Sequence, residues 1–372
     1  MNALFASFIC LMPLPSLCAS PRQDDDKLDW IKVADDQKSF VLALSGKRFV
    51  PWGFNYDHDE NSRLIEEYWD DEWDKVVEDF KEMKELGANV VRIHLQFGKF
   101  MQAPNTLNPK SLERLGRLVR LAEEVGLYLD LTGLACYLKE FVPDWYDALD
   151  ESGRWQQQAA FWGAIADRCA ASPAVFCYDL MNEPVVPGGP NKQADWLGPP
   201  FAGKFHFVQF VTRELQDRKR PDVAREWIHT LAAAIRKHDA RHLITVGLVN
   251  WSLDRPGLTS GFVPDKIASE LDFLCIHLYP ESKKIDEAID TLKGFAVGKP
   301  VLIEETFTLH CPPNDFRKFL KEAWPHAAGV IGFYWGKTPD ELRRAGTIAD
   351  SIVLQWLELF QAEAKRLKAE GH

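Results

Sequence analysis

Pro300-Val-Leu-Ile-Glu-Glu-Thr-Phe307 (PVLIEETF) is a short apolar run that ends on two adjacent carboxylates. Its apolar side chains fill odd and even positions alike. A strand with one face in water alternates apolar and polar residues; a run apolar on both faces belongs in a parallel sheet covered by helices. The same reading applies to the runs 49–56, 89–95, 127–132, 175–181, 243–249, 272–279 and 329–335, with the quoted run as 300–306. Between them lie helical patterns over 72–86, 110–125, 155–171, 223–238, 282–295 and 315–324, and a last one from 350 towards 367. Gly87 and Gly126 stand where a helix needs a left-handed cap, and Pro173 and Pro300 stop helices before the next strand.

Eight such units predict an α/β fold, the (β/α)8 or TIM barrel. A short N-terminal β-hairpin, FVLALSGKRFV, precedes it and turns at Ser45-Gly46. The competing doubly wound sheet would carry a Gly-rich phosphate turn after its first strand. That place holds Trp52-Gly-Phe-Asn-Tyr56 instead, and the chain shows no internal repeat. One catalytic domain over 40–372 is therefore expected, with 20–39 as a solvated linker. Residues 1–19 (MNALFASFICLMPLPSLCA) carry no charge, are apolar from Ala3 to Met12 and end in small side chains. That is the pattern of a secretory signal cleaved near Cys18 or Ala19, which predicts a secreted or periplasmic protein. The apolar stretch is too short for a membrane span, and Pro15-Ser-Leu-Cys18 is a poor lipidation box.

Composition narrows the function. A net charge of −11 with interspersed signs argues against nucleic acid, which needs clustered Lys and Arg. Thirteen Trp and twenty-three Phe suit a large core and a sugar-binding cleft equally. Cys136, Cys169, Cys177, Cys275 and Cys311 have no zinc spacing and read as buried free thiols, with room for one disulfide at most. No cofactor and no metal are expected, and a monomer is.

Active sites of barrels lie at the C-terminal strand ends. There the sequence places Asn55 and Tyr56 (strand one), Arg92 and His94 (two), Asp130 and Thr132 (three), and Asn182-Glu183-Pro184 (four). Asn250-Trp251 follow on strand five, His277 and Tyr279 on six, Glu304-Glu305 on seven, and Tyr334-Trp335 on eight. Singly, each has a bland reading as rim, cap or core. Together they fit glycoside hydrolysis with retention, which needs two carboxyl groups roughly 5–5.5 Å apart, one protonated and one ionised. Glu183 and a strand-seven Glu would face each other, with an Arg and a Tyr holding the latter ionised. Neighbouring strand residues point to opposite faces: Val301, Ile303 and Glu305 share one, Leu302 and Glu304 the other. Apolarity does not choose between the two Glu residues.

From Phe40 to Leu359 this constellation resembles glycoside hydrolase family 5, the cellulase-like family of clan A. The resemblance implies a retaining β-glycoside hydrolase acting on a carbohydrate of the β-mannan or β-glucan type. It implies Glu183 as acid/base, with Asn182 on the sugar 2-hydroxyl, and Glu305 as nucleophile, five places after Pro300. Arg92 and Tyr279 would support the nucleophile, His277 would sit by the acid/base, and Trp335 would floor the cleavage site. Glu304 is left as a supporting or helix-side carboxylate that needs its own partner. Trp251, and Trp196, Phe205 and Phe207 of the long loop 184–221, would extend the cleft; Asn55 and His94 complete the candidate set. Two positions depart from the family pattern: Thr132 stands where many members have His, and Glu-Thr-Phe replaces Glu-Phe-Gly after strand seven. The alternatives are a catalytically silent or transglycosylating barrel of the same fold, and a metal-dependent barrel hydrolase, for which Phe54-Asn-Tyr56 offers no His-x-His.

Overall fold

The computed structural model describes residues 27–370 except 190, 191, 202, 257 and 334. The signal reading over 1–19 lies outside the described residues. Eight parallel strands form the central sheet: Trp52–Tyr56, Val90–Gln96, Tyr128–Ala135, Val175–Asn182, Leu243–Gly247, Leu274–His277, Val301–Glu305 and Gly329–Gly332, called strands one to eight below. Each pairs with its sequence neighbours, and strand eight returns to strand one. Strands five and six close the ring through Asp272 N–H to Ile244 O (3.0 Å) and His277 N–H to Leu248 O (2.8 Å). The α/β barrel read from the sequence is the fold.

The long helices between strands are Trp73–Glu85, Pro109–Val125, Glu151–Cys169, Arg220–Arg236, Ile285–Gly294 and Pro313–Ala323, with Ile348–Ala369 at the C-terminal end. Their apolar stripes cover the outward strand residues, so Val301 and Ile303 join the outer core. Leu302, Cys275, Cys177 and Ile331 face inward and make a separate cluster. Local signals behave as read. Gly126 caps its helix at φ 75°, and the side chains of Asn108 and Asp150 accept hydrogen bonds at helix starts. All five described cysteines are free and buried. Among the described residues no helix is long and apolar enough to cross a membrane.

Element boundaries differ from the sequence reading, and three of the differences bear on the ends of the barrel. The N-terminal hairpin (Phe40–Leu42 with Arg48–Phe49) gains a third strand, Ile31–Val33, from the stretch read as linker. This small sheet plugs the N-terminal end of the barrel: Phe40 meets Phe176 and Phe273 edge-on, each at 5.1 Å. Strand three runs on to Ala135, past the Thr132 read as its end, because its ladder with strand two continues to Gln96↔Ala135. Strand eight stops early, at Gly332. The loop between strand four and Arg220 is tied down by a short parallel pair, Pro184–Val185 with Gln209–Phe210.

Candidate active site

Arg92 organises the rim from strand two. Its guanidinium is wholly buried and always charged, so it must be paired. Nη1 donates to Glu305 Oε1 (2.6 Å) and Asn55 Oδ1 (2.9 Å); Nη2 donates to Asp179 Oδ2 (2.7 Å) and Asn182 Oδ1 (3.1 Å). Tyr279 OH donates to the other Glu305 oxygen at 2.7 Å. Glu305 therefore sits at the end of strand seven between two donors, at the mouth of the barrel. Burial pushes its carboxyl above the ordinary value, while His277, Arg92 and Tyr279 pull it down and Glu183 adds to the rise.

Glu183 follows strand four with φ +46°, a left-handed backbone held by its N–H to Gly247 O (3.0 Å). For a non-glycine residue before proline this conformation costs on the order of 1–3 kcal/mol, and such strain concentrates at functional sites. It turns the side chain into the cleft, where 19% of it is exposed. His277 Nδ1 lies 3.0 Å from Glu183 Oε1, and its Nε2 lies 3.2 Å from Glu304 Oε2. Burial opposes charge on this ring, but Glu305 and the bonds to Glu183 and Glu304 raise its pKa to about 10. His277 is an imidazolium donating from both nitrogens. One oxygen each from Glu183 and Glu305, and a His277 nitrogen, lie within 4.8 Å of one another.

Glu304 corrects the helix-side alternative. It projects into the barrel, on the same side as Leu302, and is completely buried. Cys275 Sγ donates to it at 2.9 Å and Arg92 Nη2 stands 3.4 Å away. Burial would raise its pKa; Arg92 and His277 instead bring it to about 2. Asp130 and Asp179 lie beside it, all three offering an oxygen within 4.8 Å. Asp179 accepts from Arg92, Thr132 and the Gly247 N–H, whereas neither oxygen of Asp130 meets a hydrogen-bond donor. Burial and the Glu304 charge lift Asp130 well above the carboxylate range, so it holds a proton. Among the described residues, both groupings that could hold a metal stand beside the charge of Arg92 or His277, which disfavours a cation there.

The cleft above encloses about 530 Å³. Asn182, Glu183, His94, Tyr279 and Glu305 reach it, and Phe205 and Phe207 wall it. His94 is neutral, driven well below the usual imidazole range by burial and then by Arg92. Asn55 Oδ1 accepts from Arg92 and so also from His94 Nε2 (3.1 Å), which leaves His94 Nδ1 to accept from Tyr137 OH (2.6 Å). Asn55 itself lies beneath the cleft, its amide donating to Glu304 O (2.9 Å).

Trp335, expected as the floor, is 1% exposed and packs in the outer core against Phe54, its Nε1 donating to Asp79 Oδ1. Strand eight ends at Gly332, so Phe333 presents the ring to the cleft and the chain has turned away by residue 335. Trp251 sits half-buried on a turn after strand five and does not line the cleft. Trp196 is buried, donating to Asp147 O. Thr132 lies inside the barrel, bonded to Asp179 (2.7 Å). Because strand three is longer than read, its rim residue is Tyr137. Asp57, His58, Tyr137, Phe307, Leu309, His310 and Phe333 are cleft residues the sequence reading missed; of these only Phe333, inside a recognised strand run, carried a signal.

A closed parallel barrel with two facing carboxyl groups at its C-terminal rim defines the structural class. The family model of Cellulase (glycosyl hydrolase family 5) matches residues 53–325, most of the chain. The chain belongs to glycosyl hydrolase family 5. A mannan endo-1,4-beta-mannosidase A of Podospora anserina is 27% identical over 283 residues, covering 67% of this chain and 65% of that protein. One from Aspergillus aculeatus is 24% identical, covering 62% of each. The chain thus spans a little under two thirds of the length of these relatives. Among solved structures, an exo-beta-1,4-mannosidase from Opitutaceae bacterium strain TAV5 superposes with TM-score 0.67 at 19% identity, over 91% of this chain and 62% of that one. The endo-1,4-beta-mannanase of Rhizomucor miehei gives 0.62 at 18%, over 90% and 100%. These likenesses are of fold.

Proposed function

We propose that the protein is a retaining β-glycosidase that hydrolyses β-mannan-type chains or oligosaccharides. The observation that carries the reading is the carboxyl pair. Glu183 and Glu305 bring oxygens within 4.8 Å, and Glu305 is clamped by Arg92 and Tyr279. Inverting enzymes keep their carboxyls about 6.5–9.5 Å apart to admit a water; retaining ones hold them at roughly 5–5.5 Å. In the first step Glu305 attacks the anomeric carbon, the glycosidic C–O bond breaks, and the leaving oxygen takes the proton of Glu183. The resulting glycosyl ester is cleaved by water, whose proton returns to Glu183 and whose oxygen ends on the anomeric carbon. Two inversions give net retention. His277 beside Glu183, donating to it, orients the acid in both steps.

Mannan is favoured over glucan because the relatives named above are mannan-acting enzymes. The charge-free, apolar N-terminal stretch over residues 1–19 supports export, which would bring the enzyme to a polymer outside the cell. The test is hydrolysis of mannan and an aryl β-mannoside by wild type, Glu183→Gln and Glu305→Gln. Each variant is expected to lose about 10²–10⁴-fold in kcat/KM on mannan with an unchanged circular dichroism spectrum. Proton NMR of the first product should show the β-anomer. Near wild-type rates in either variant, or the α-anomer first, would refute the reading.

A further inference from the structure

The loop after strand four does more than line the cleft. Phe201 N–H donates to Phe205 O (2.7 Å) and Lys204 N–H to Phe201 O (3.1 Å), which brings Phe201 and Phe205 together at a tight turn. The turn is fastened at two places on the opposite rim. His206 N–H donates to Tyr137 O (2.9 Å) in the loop after strand three, and Lys204 Nζ donates to Ser62 O (3.2 Å) in the loop after strand one. Its rings are packed as well as tied. Phe205 and Phe207 stack at 5.6 Å, Phe207 meets Tyr137 at 5.0 Å, and His58 lies 5.5 Å from Phe205. Leu64, Ala135, Tyr137, Leu138 and Phe205 form a small hydrophobic core of rim loops and the end of strand three, separate from both barrel cores. Phe205 is 8% exposed and the other four are more deeply buried, so the wall is packed at its base.

On the strand-seven side the cleft is open: Leu309, in the loop after that strand, lines it and is 55% exposed. Phe201, at the outer edge of the turn itself, is 65% exposed. A volume of about 530 Å³ falls in the range of roughly 300–1,000 Å³ that holds a single small ligand. A groove for the middle of a polymer needs an exit at each end. This cleft has its carboxyl pair between an open lip and a packed aromatic wall.

We infer that the aromatic turn closes the cleft over strands one to three, so that the enzyme takes the end of a β-linked chain and trims it, without cutting inside it. This rests on the glycosidase reading above. Phe205 and Phe207 are then specificity-determining: they set how many sugar units fit between the wall and the scissile bond.

The full chain is tested on mannohexaose, soluble mannan and an aryl β-mannoside. At low conversion, one product of constant size is expected, together with the oligosaccharide shortened by that unit and little loss of mannan viscosity per bond broken. A ladder of product sizes from the earliest time point, with a steep fall in viscosity, overturns the inference while leaving the glycosidase reading intact. No hydrolysis of any of the three substrates removes both. Phe205→Ala combined with Phe207→Ala is expected to shift products towards the ladder; a folded double variant that keeps the single product overturns the role of the wall. Should that variant fail to fold, Lys204→Ala, which removes the tether to Ser62 and the ammonium 5.0 Å over the Phe205 ring, is expected to raise the share of internal cuts several-fold, and an unchanged share counts against the wall.

Discussion

Asp130 sits in a barrel interior whose carboxyl groups outnumber its cations. Arg92 and His277 face Asp130, Asp179, Glu304 and Glu305, and the structure resolves the excess by keeping a proton on the one carboxyl that no donor reaches. Keeping it has a cost with a definite sign. The unfolded chain releases this proton near pH 3.9, so above that pH the folded state binds more protons and stability falls as pH rises towards the folded-state value. Asp130→Asn lacks the slope. It is expected to gain on wild type by up to about 1.4 kcal/mol per pH unit, seen in urea unfolding midpoints between about pH 5 and pH 7. A constant difference across that range would mean Asp130 is ionised when folded. Glu305 gives the functional counterpart. As the proposed nucleophile it must be ionised to attack, and burial raises its pKa, so kcat/KM should fall on the acid side above the ordinary carboxylate range of about 4.3. His277 is the strongest influence lowering it. His277→Asn should therefore move the acid limb further up in pH, besides lowering the plateau. An acid limb unmoved by the variant would show that the imidazolium does not act on Glu305.

At the scale of single elements, strand five shows how the barrel makes room for these charges. A Cβ built on Gly247 would stand 3.0 Å from Arg92 Nη2 and 3.1 Å from both Glu304 Oε2 and His277 Nε2. Each of these atoms is held by partners of its own, so none can retreat cheaply. Gly247→Ala is expected to destabilise by about 1–3 kcal/mol and to depress kcat/KM more than binding, since it moves Arg92 against Glu305; denaturant unfolding and initial rates check the two effects separately. The glycine was invisible as a functional position in the sequence, because its importance lies in what it leaves unfilled. The strands themselves were legible, since burial on both faces writes them as unbroken apolar runs. Their ends were less so. A strand continues past polar residues wherever its neighbour keeps offering hydrogen bonds, which moved the rim of strand three from Thr132 to Tyr137, and it stops where the ladder stops, which gave Phe333 the place expected of Trp335. Glu183, Arg92, His277, Tyr279 and Glu305 were legible because a charged or hydrogen-bonding side chain at the end of an apolar strand has few other reasons to be there. Glu304 was left between a supporting and a helix-side place; it shares the inward face of Leu302, while Glu305, past the last regular pair, turns into the mouth.

The whole molecule is a barrel with different closures at its two ends. The C-terminal mouth carries the polar site, and the N-terminal end is sealed by the three-stranded sheet whose first strand, Ile31–Val33, lay in the stretch read as linker. The seal is mainly Phe40, which is fully buried between Phe176 and Phe273, and Phe49, which meets Tyr128 at 5.0 Å. Tyr128 OH adds a bond to Asp29 O at 2.7 Å, tying the segment before the sheet to strand three. Phe40 lies at the opposite end of the strands from Glu183 and Glu305, with layers of inward side chains between. Its removal should therefore cost stability without touching the chemistry. Phe40→Ala leaves a cavity among Phe176, Phe273 and Phe49 that rigid strands cannot collapse to fill, and is expected to lower the unfolding free energy by about 3–5 kcal/mol. At a temperature where the variant remains folded, kcat and KM on an aryl β-mannoside should equal those of wild type. A large drop in kcat with little loss of stability would show instead that the seal sets the geometry of the rim, and that the two ends of the barrel are mechanically coupled through the strands.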